Sequence, residues 1–124
     1  MHITLERKSP KNKGPSYSLS IDNAGNVEYD GISIVKTMGK HCSKITEEDL
    51  NALIDEFKII YFFSLKEKYG DLLDNSDVPQ TSISICLGDK YKEVTYSSGS
   101  NVPLSLTMLE KEIEQITNTI QWTG

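Results

Sequence analysis

The chain is poor in the residues that staple small folds or advertise special chemistry: two cysteines, four prolines and one tryptophan among 124 residues. So few cysteines exclude a disulfide-dense miniprotein. At 13.9 kDa, folding hides roughly two-thirds of the open chain's surface, enough for a core that needs no staple. No apolar run approaches the roughly 20 residues that span a bilayer, and the opening MHITLERK puts charge where a secretory leader would be apolar. The expectation is a soluble, cytoplasmic chain with no membrane contact. G-x-x-x-x-G-K-S/T, G-x-G-x-x-G and G-x-S-x-G are absent, which removes the usual nucleotide-binding and α/β-hydrolase readings. Positive charge is also in short supply. Thirteen basic residues against 18 acidic ones give a net charge of −5, the wrong balance for a nucleic-acid binder.

What is present reads as one domain over residues 1–124. Ile3 to Arg7 and Tyr17 to Ile21 alternate apolar and polar residues, as half-buried strands do. Between them, Lys8 to Pro15 holds two prolines and a glycine and must be a loop. Gly25 suits a left-handed hairpin position before Val27 to Tyr29. Residues 31–45 read as one bent or broken strand in which Ile32 and Ile34 share a face and Gly39 interrupts. Thr46 is placed to cap the amide of Asp49, opening an amphipathic helix on Leu50, Leu53, Ile54 and Phe57 that ends near Phe63 to Leu65. A polar excursion over 66–80 follows. Ile83 to Leu87 and Lys92 to Tyr96 form a hairpin through Gly88-Asp89, and a second helix after Pro103 carries Leu106, Leu109, Ile113, Ile116 and Ile120. The predicted fold is α+β: an antiparallel sheet of five or six strands in the order β-β-β(-β)-α-β-β-α, with both helices on one face.

Candidate chemistry is sparse. The two cysteines and two histidines allow a disulfide, a thiol nucleophile or a metal site. His41 and Cys42 are neighbours, so on a strand they leave opposite faces and form no dyad, whereas Lys40, Cys42 and Lys44 share a face. Cys86 lies opposite Ile83 and Ile85 in parity, so a bond to Cys42 requires adjoining strands. Asp71, Asp74 and Asp77 suggest calcium, but the EF-hand order fails at Leu73, Ser76 and Ser82. No metal or cofactor and no catalytic residue is assigned. The clearest electrostatic feature is Arg7, Lys8, Lys11 and Lys13, which give the first fifteen residues a sum of +3 against −8 for the remainder. These four are the candidate binding residues, for an acidic protein partner. No aromatic interleaves them to stack a base, so nucleic acid is not expected. The leading reading is a small non-catalytic binding or interaction domain. Its alternatives are an enzyme with an unrecognised site and a ligand- or metal-binding module.

The stretch from Pro10 through Gly14-Pro15-Ser16-Tyr17, followed by Leu19, Ile21, Gly25, Val27, Tyr29 and Gly31, resembles the opening of domain-of-unknown-function family 6438, which reads C-x-G-x-C-P-x-Y-x-L-x-I, then a turn glycine and Y-x-G. The similarity continues through Lys44-Ile45, Leu53-Ile54 with Phe57, Phe62 to Leu65, Asp77-x-Pro79-x-Thr81 and the helix before Trp122. The resemblance implies an antiparallel α+β fold and brings no assigned activity. Pro10 and Gly14 stand where the family's cysteines fall, so any disulfide, redox or metal role of that loop is absent from this chain. Many members of the family carry an export or lipid-anchor segment. Either this chain is cytosolic or a leader has been removed, and loss of both cysteines favours the first.

Overall fold

Alternating apolar residues build the sheet. In β1 (His2–Lys8), Ile3 and Leu5 are buried while their neighbours are not, and β2 (Ser16–Asp22) buries Tyr17, Leu19 and Ile21. The computed structural model describes residues 1–10, 14–35, 38–70, 78–97 and 101–119. β3 (Asn26–Ser33) and β4 (Gly39–Lys44) complete a meander, and β6 (Gln80–Leu87) and β7 (Lys90–Ser97) form the second hairpin. With the short β5 (Lys68–Tyr69), the spatial order is β4-β3-β2-β1-β6-β7-β5, so β1 joins the two hairpins. Among the described residues the sheet has seven strands and is mixed. β5 (Lys68–Tyr69) lies parallel to β7, a correction to the expected antiparallel sheet of five or six strands. Two residues within a polar stretch carry no periodicity to read; the Thr95 amide bonding the Glu67 carbonyl at 2.8 Å fastens them.

The segment after Tyr29 also differs from expectation. β3 runs on to Ser33, and Gly39, at φ +84°, opens β4 rather than interrupting a strand. Ile32 and Ile34 are exposed instead of forming an apolar face. Gly25 behaves as predicted. Its φ is +84°, and a Cβ there would stand 2.6 Å from the Ile45 carbonyl oxygen, so neither the conformation nor the space admits a side chain.

Helix α1 (Glu47–Ile59) starts at Thr46, whose hydroxyl accepts the Asp49 amide at 3.1 Å, with Glu47, Glu48 and Asp49 favouring the positive end of the dipole. It ends before the expected Phe63 to Leu65. Tyr61 takes a left-handed conformation at φ +55°, and a 3₁₀ turn follows at Phe62–Ser64. On a continued helix Phe62 would lie about 140° around from Phe57. The break turns it into the core instead, edge-on to Phe57 at 4.9 Å.

Helix α2 (Leu104–Thr119) starts on the Pro103 carbonyl, which accepts the amides of Leu106 and Thr107. Leu50, Leu53 and Phe57 of α1 and Leu106, Leu109 and Ile113 of α2 join Ile3, Leu5, Leu19, Ile21, Ile83 and Ile85 in one buried cluster, as predicted. Ile54 and Ile116 pack at its margin. All the sheet residues of this cluster share one face. The opposite face carries Thr4, Glu6, Ser18, Ser20, Glu28, Asp30, Ser82 and Ser84.

Candidate binding surface at the loop end of the sheet

Strand alternation separates the basic residues that are neighbours in sequence. Arg7 has the parity of Leu5 and points to the helix-covered side, whereas Lys8 has the parity of Glu6 and lies on the uncovered side. Lys11 and Lys13 fall outside the described residues. Lys8 is well exposed, its side chain 76% accessible, and pairs with Glu6 at 3.1 Å, a contact too solvated to hold it firmly.

Arg7 enters a polar network at the junction of sheet and helix. One cross-strand row contains Tyr17, Arg7, Thr81 and Tyr96. Above it α2 lowers Glu110, only 8% exposed. The Tyr96 hydroxyl donates to Glu110 Oε2 at 2.5 Å, while Thr81 Oγ1 and Arg7 Nη1 both donate to Oε1 at 3.4 Å. One helical turn on, Glu114 Oε1 accepts from the Tyr17 hydroxyl at 2.8 Å. Two carboxylates facing one guanidinium leave the network with a formal charge of −1. Sequence reasoning missed both glutamates, although a signal existed: Glu110 and Glu114 continue the buried stripe of Leu106 at four-residue steps.

Burial, followed by the adjoining glutamate, pushes the Tyr17 and Tyr96 phenols far above the usual tyrosine range. Below pH 10 both are protonated folded and unfolded, and stability is level with respect to them. Above it the unfolded chain ionises them while the fold does not, so the native state binds more protons and stability falls, by about 2.7 kcal/mol per pH unit for two groups. The expected alkaline titration, followed by phenolate absorbance, stays at least two short of the chain's six tyrosines until unfolding. All six ionising with the fold intact would place Tyr17 and Tyr96 in solvent.

The base of the Lys8–Pro15 loop is closed by serines that the sequence reading did not single out. The Ser9 amide donates to Ser16 Oγ at 3.0 Å, Ser9 Oγ to the Pro15 carbonyl at 2.6 Å, and Ser33 Oγ to the Gly14 carbonyl at 2.9 Å. The last bond ties this loop to the end of β3, where the β3–β4 connection begins. Between the two connections and α2 lies a cavity of about 330 Å³, lined by Arg7, Pro15, Tyr17, Tyr29, Ile34, Val35 and Glu114.

The uncovered face holds a broader groove of about 670 Å³. Thr4, Ser18 and Ser20 lie along it among Glu6, Glu28, Asp30, Lys40 and Cys42. Cys42 and Cys86 share this face, but β4 and β6 are separated by three strands, about 19 Å. Neither is in a disulfide, as that distance requires of the pair. Asp71, Asp74 and Asp77 lie outside the described residues. Among the described residues no group of three or more His, Cys, Asp or Glu could hold a metal ion, and no helix is long and apolar enough to cross a membrane.

No curated protein matches the chain. The meander of β1 to β4 with its turn at Gly25, the hairpin of β6 and β7 and the terminal helix carry the motifs of one family from end to end, and the model of the Domain of unknown function (DUF6438) matches residues 1–117: the chain belongs to that family.

Proposed function

We propose that this domain is a non-catalytic binding module that docks an acidic protein partner on the loop end of its sheet, with Arg7, Lys8, Lys11 and Lys13 as its recognition residues. The observation that carries the reading is the charge asymmetry: a sum of +3 over the first fifteen residues on a chain otherwise at −8. Such a patch steers an acidic surface toward one end of the molecule and repels it from the rest. Support also comes from the latched loop base. Ser9, Ser16 and Ser33 hold the ends of the loop, and Pro10 and Pro15 limit its conformations, so less ordering is left for binding to supply.

Exposed cations lose influence as salt shortens the Debye length from about 10 Å at 0.1 M to about 3 Å at 1 M. A partner captured from native lysate should therefore detach with salt. Changing Lys8, Lys11 and Lys13 together to serine is expected to leave stability within about 0.5 kcal/mol of the parent, while retention of the partner falls clearly. Melting curves and comparative pull-downs measure both. Equal retention by the triple variant would reduce the loop to solubilising charge.

A further inference from the structure

Charges of both signs line the cavity between the two connections and α2. Arg7 is the cross-strand partner of Tyr17, and Glu114 accepts from the Tyr17 hydroxyl at 2.8 Å, so a guanidinium and a carboxylate flank one tyrosine. The guanidinium is under-used. It carries five donors, yet among the described residues its one acceptor is Glu110 Oε1 at 3.4 Å, longer than charge-assisted bonds usually run, and its buried Nε has none. The Arg7 side chain still keeps 26% of its surface accessible, which leaves part of it open to an acceptor entering the cavity. The remaining wall is apolar or aromatic: Pro15, Val35 and Ile34 with Tyr17 and Tyr29, whose ring centroids stand 6.0 Å apart.

From this pairing of charges we infer that the cavity is a binding site for a free α-amino acid with an apolar side chain, its carboxylate on Arg7, its ammonium on Glu114 and its side chain against Pro15, Val35 and Tyr29. Among the described residues no lysine lines it, so the site stands apart from the acidic-partner surface proposed above. Charge of one sign alone fits poorly. A simple carboxylate drawn to Arg7 would meet Glu114, and a simple amine drawn to Glu114 would meet Arg7, whereas a zwitterion answers both with groups held on one carbon. A carboxylate accepts several donors at once, so Glu114 keeps its bond from Tyr17 while taking an ammonium. The cavity, about 330 Å³, lies at the lower end of the range for small-molecule sites, about 300–1,000 Å³, which suits a molecule of amino-acid size. Its apolar wall favours a leucine- or phenylalanine-like side chain over the bare hydrogen of glycine.

Calorimetric titration of the full chain at neutral pH with L-phenylalanine, 3-phenylpropionate and phenethylamine tests this, because the last two each keep the ring and only one of the two charges. L-Phenylalanine is expected to bind about tenfold more tightly than either, the worth of one charge-assisted contact at a partly solvated site, and more tightly than glycine. Glu114→Gln keeps the shape and an acceptor for Tyr17 but removes the charge. It should weaken L-phenylalanine about tenfold and strengthen 3-phenylpropionate, a crossover that a merely structural Glu114 would not produce, and a melting temperature close to the parent's verifies the fold. Binding of 3-phenylpropionate or phenethylamine as tightly as L-phenylalanine would overturn the zwitterion site, and so would no binding of L-phenylalanine at millimolar concentration. Equal affinity for glycine and L-phenylalanine would overturn the apolar side-chain assignment.

Discussion

Phe57→Ala should lower stability by about 3–5 kcal/mol, the cost of truncating a fully buried aromatic side chain. Phe57 is fully buried at the last turn of α1 and meets Phe62 edge to face at 4.9 Å, with the rings inclined at 73°. Truncation removes the transfer free energy of the ring, leaves a cavity, and takes from Phe62 the contact that rewards the left-handed break at Tyr61. A domain of this size is stable by only about 5–15 kcal/mol, so the variant should unfold at much lower denaturant. Urea midpoints measure the effect. A midpoint within error of the parent would remove Phe57 from the core.

Glu110→Ala should follow closely, at the lower end of about 3–5 kcal/mol because Arg7 keeps some solvent access. The alanine itself is not the cause. Glu110 accepts from Tyr96, Thr81 and Arg7, and its removal strands those donors, including an Arg7 whose buried Nε already has no partner. The expected counterpart is a double variant, Arg7→Met with Glu110→Leu, recovering part of the loss, because removing both members of the ion pair leaves neither of those two charges uncompensated, while Tyr96 and Thr81 still lose their acceptor. Equal losses in single and double variants would show that the network acts through α2 itself rather than through its buried charges. The lysine substitutions, by contrast, are expected to change binding and not stability, the Lys8–Glu6 pair being too solvated to contribute much.

Much of the fold was legible because its signals are local. Leu19 and Ile21 declare a strand by alternation, Thr46 declares a helix start by reaching Asp49 three residues on, and Gly25 declares a turn because its conformation excludes other residues. Family membership was legible for the same reason, as an ordered series of short motifs over nearly the whole chain. The end of α1 was not. Nothing near Tyr61 resembles a helix stop, and the break depends on Phe62 finding Phe57.

Composition and periodicity by themselves determined the α+β class, the shared core of two helices on one sheet face, and the clustering of positive charge in the first fifteen residues. Tertiary structure decided where those charges go. Alternation about the strand axis sends Arg7 beneath α2 and Lys8 to the open face, and only the packing of α2 brings Glu110 to Arg7, 103 residues away in sequence. Strand order likewise decided that Cys42 and Cys86 share a face yet stand too far apart to bond. Such facts escape a linear reading because contacts between distant segments depend on register and layer. Neither leaves a periodicity in the chain.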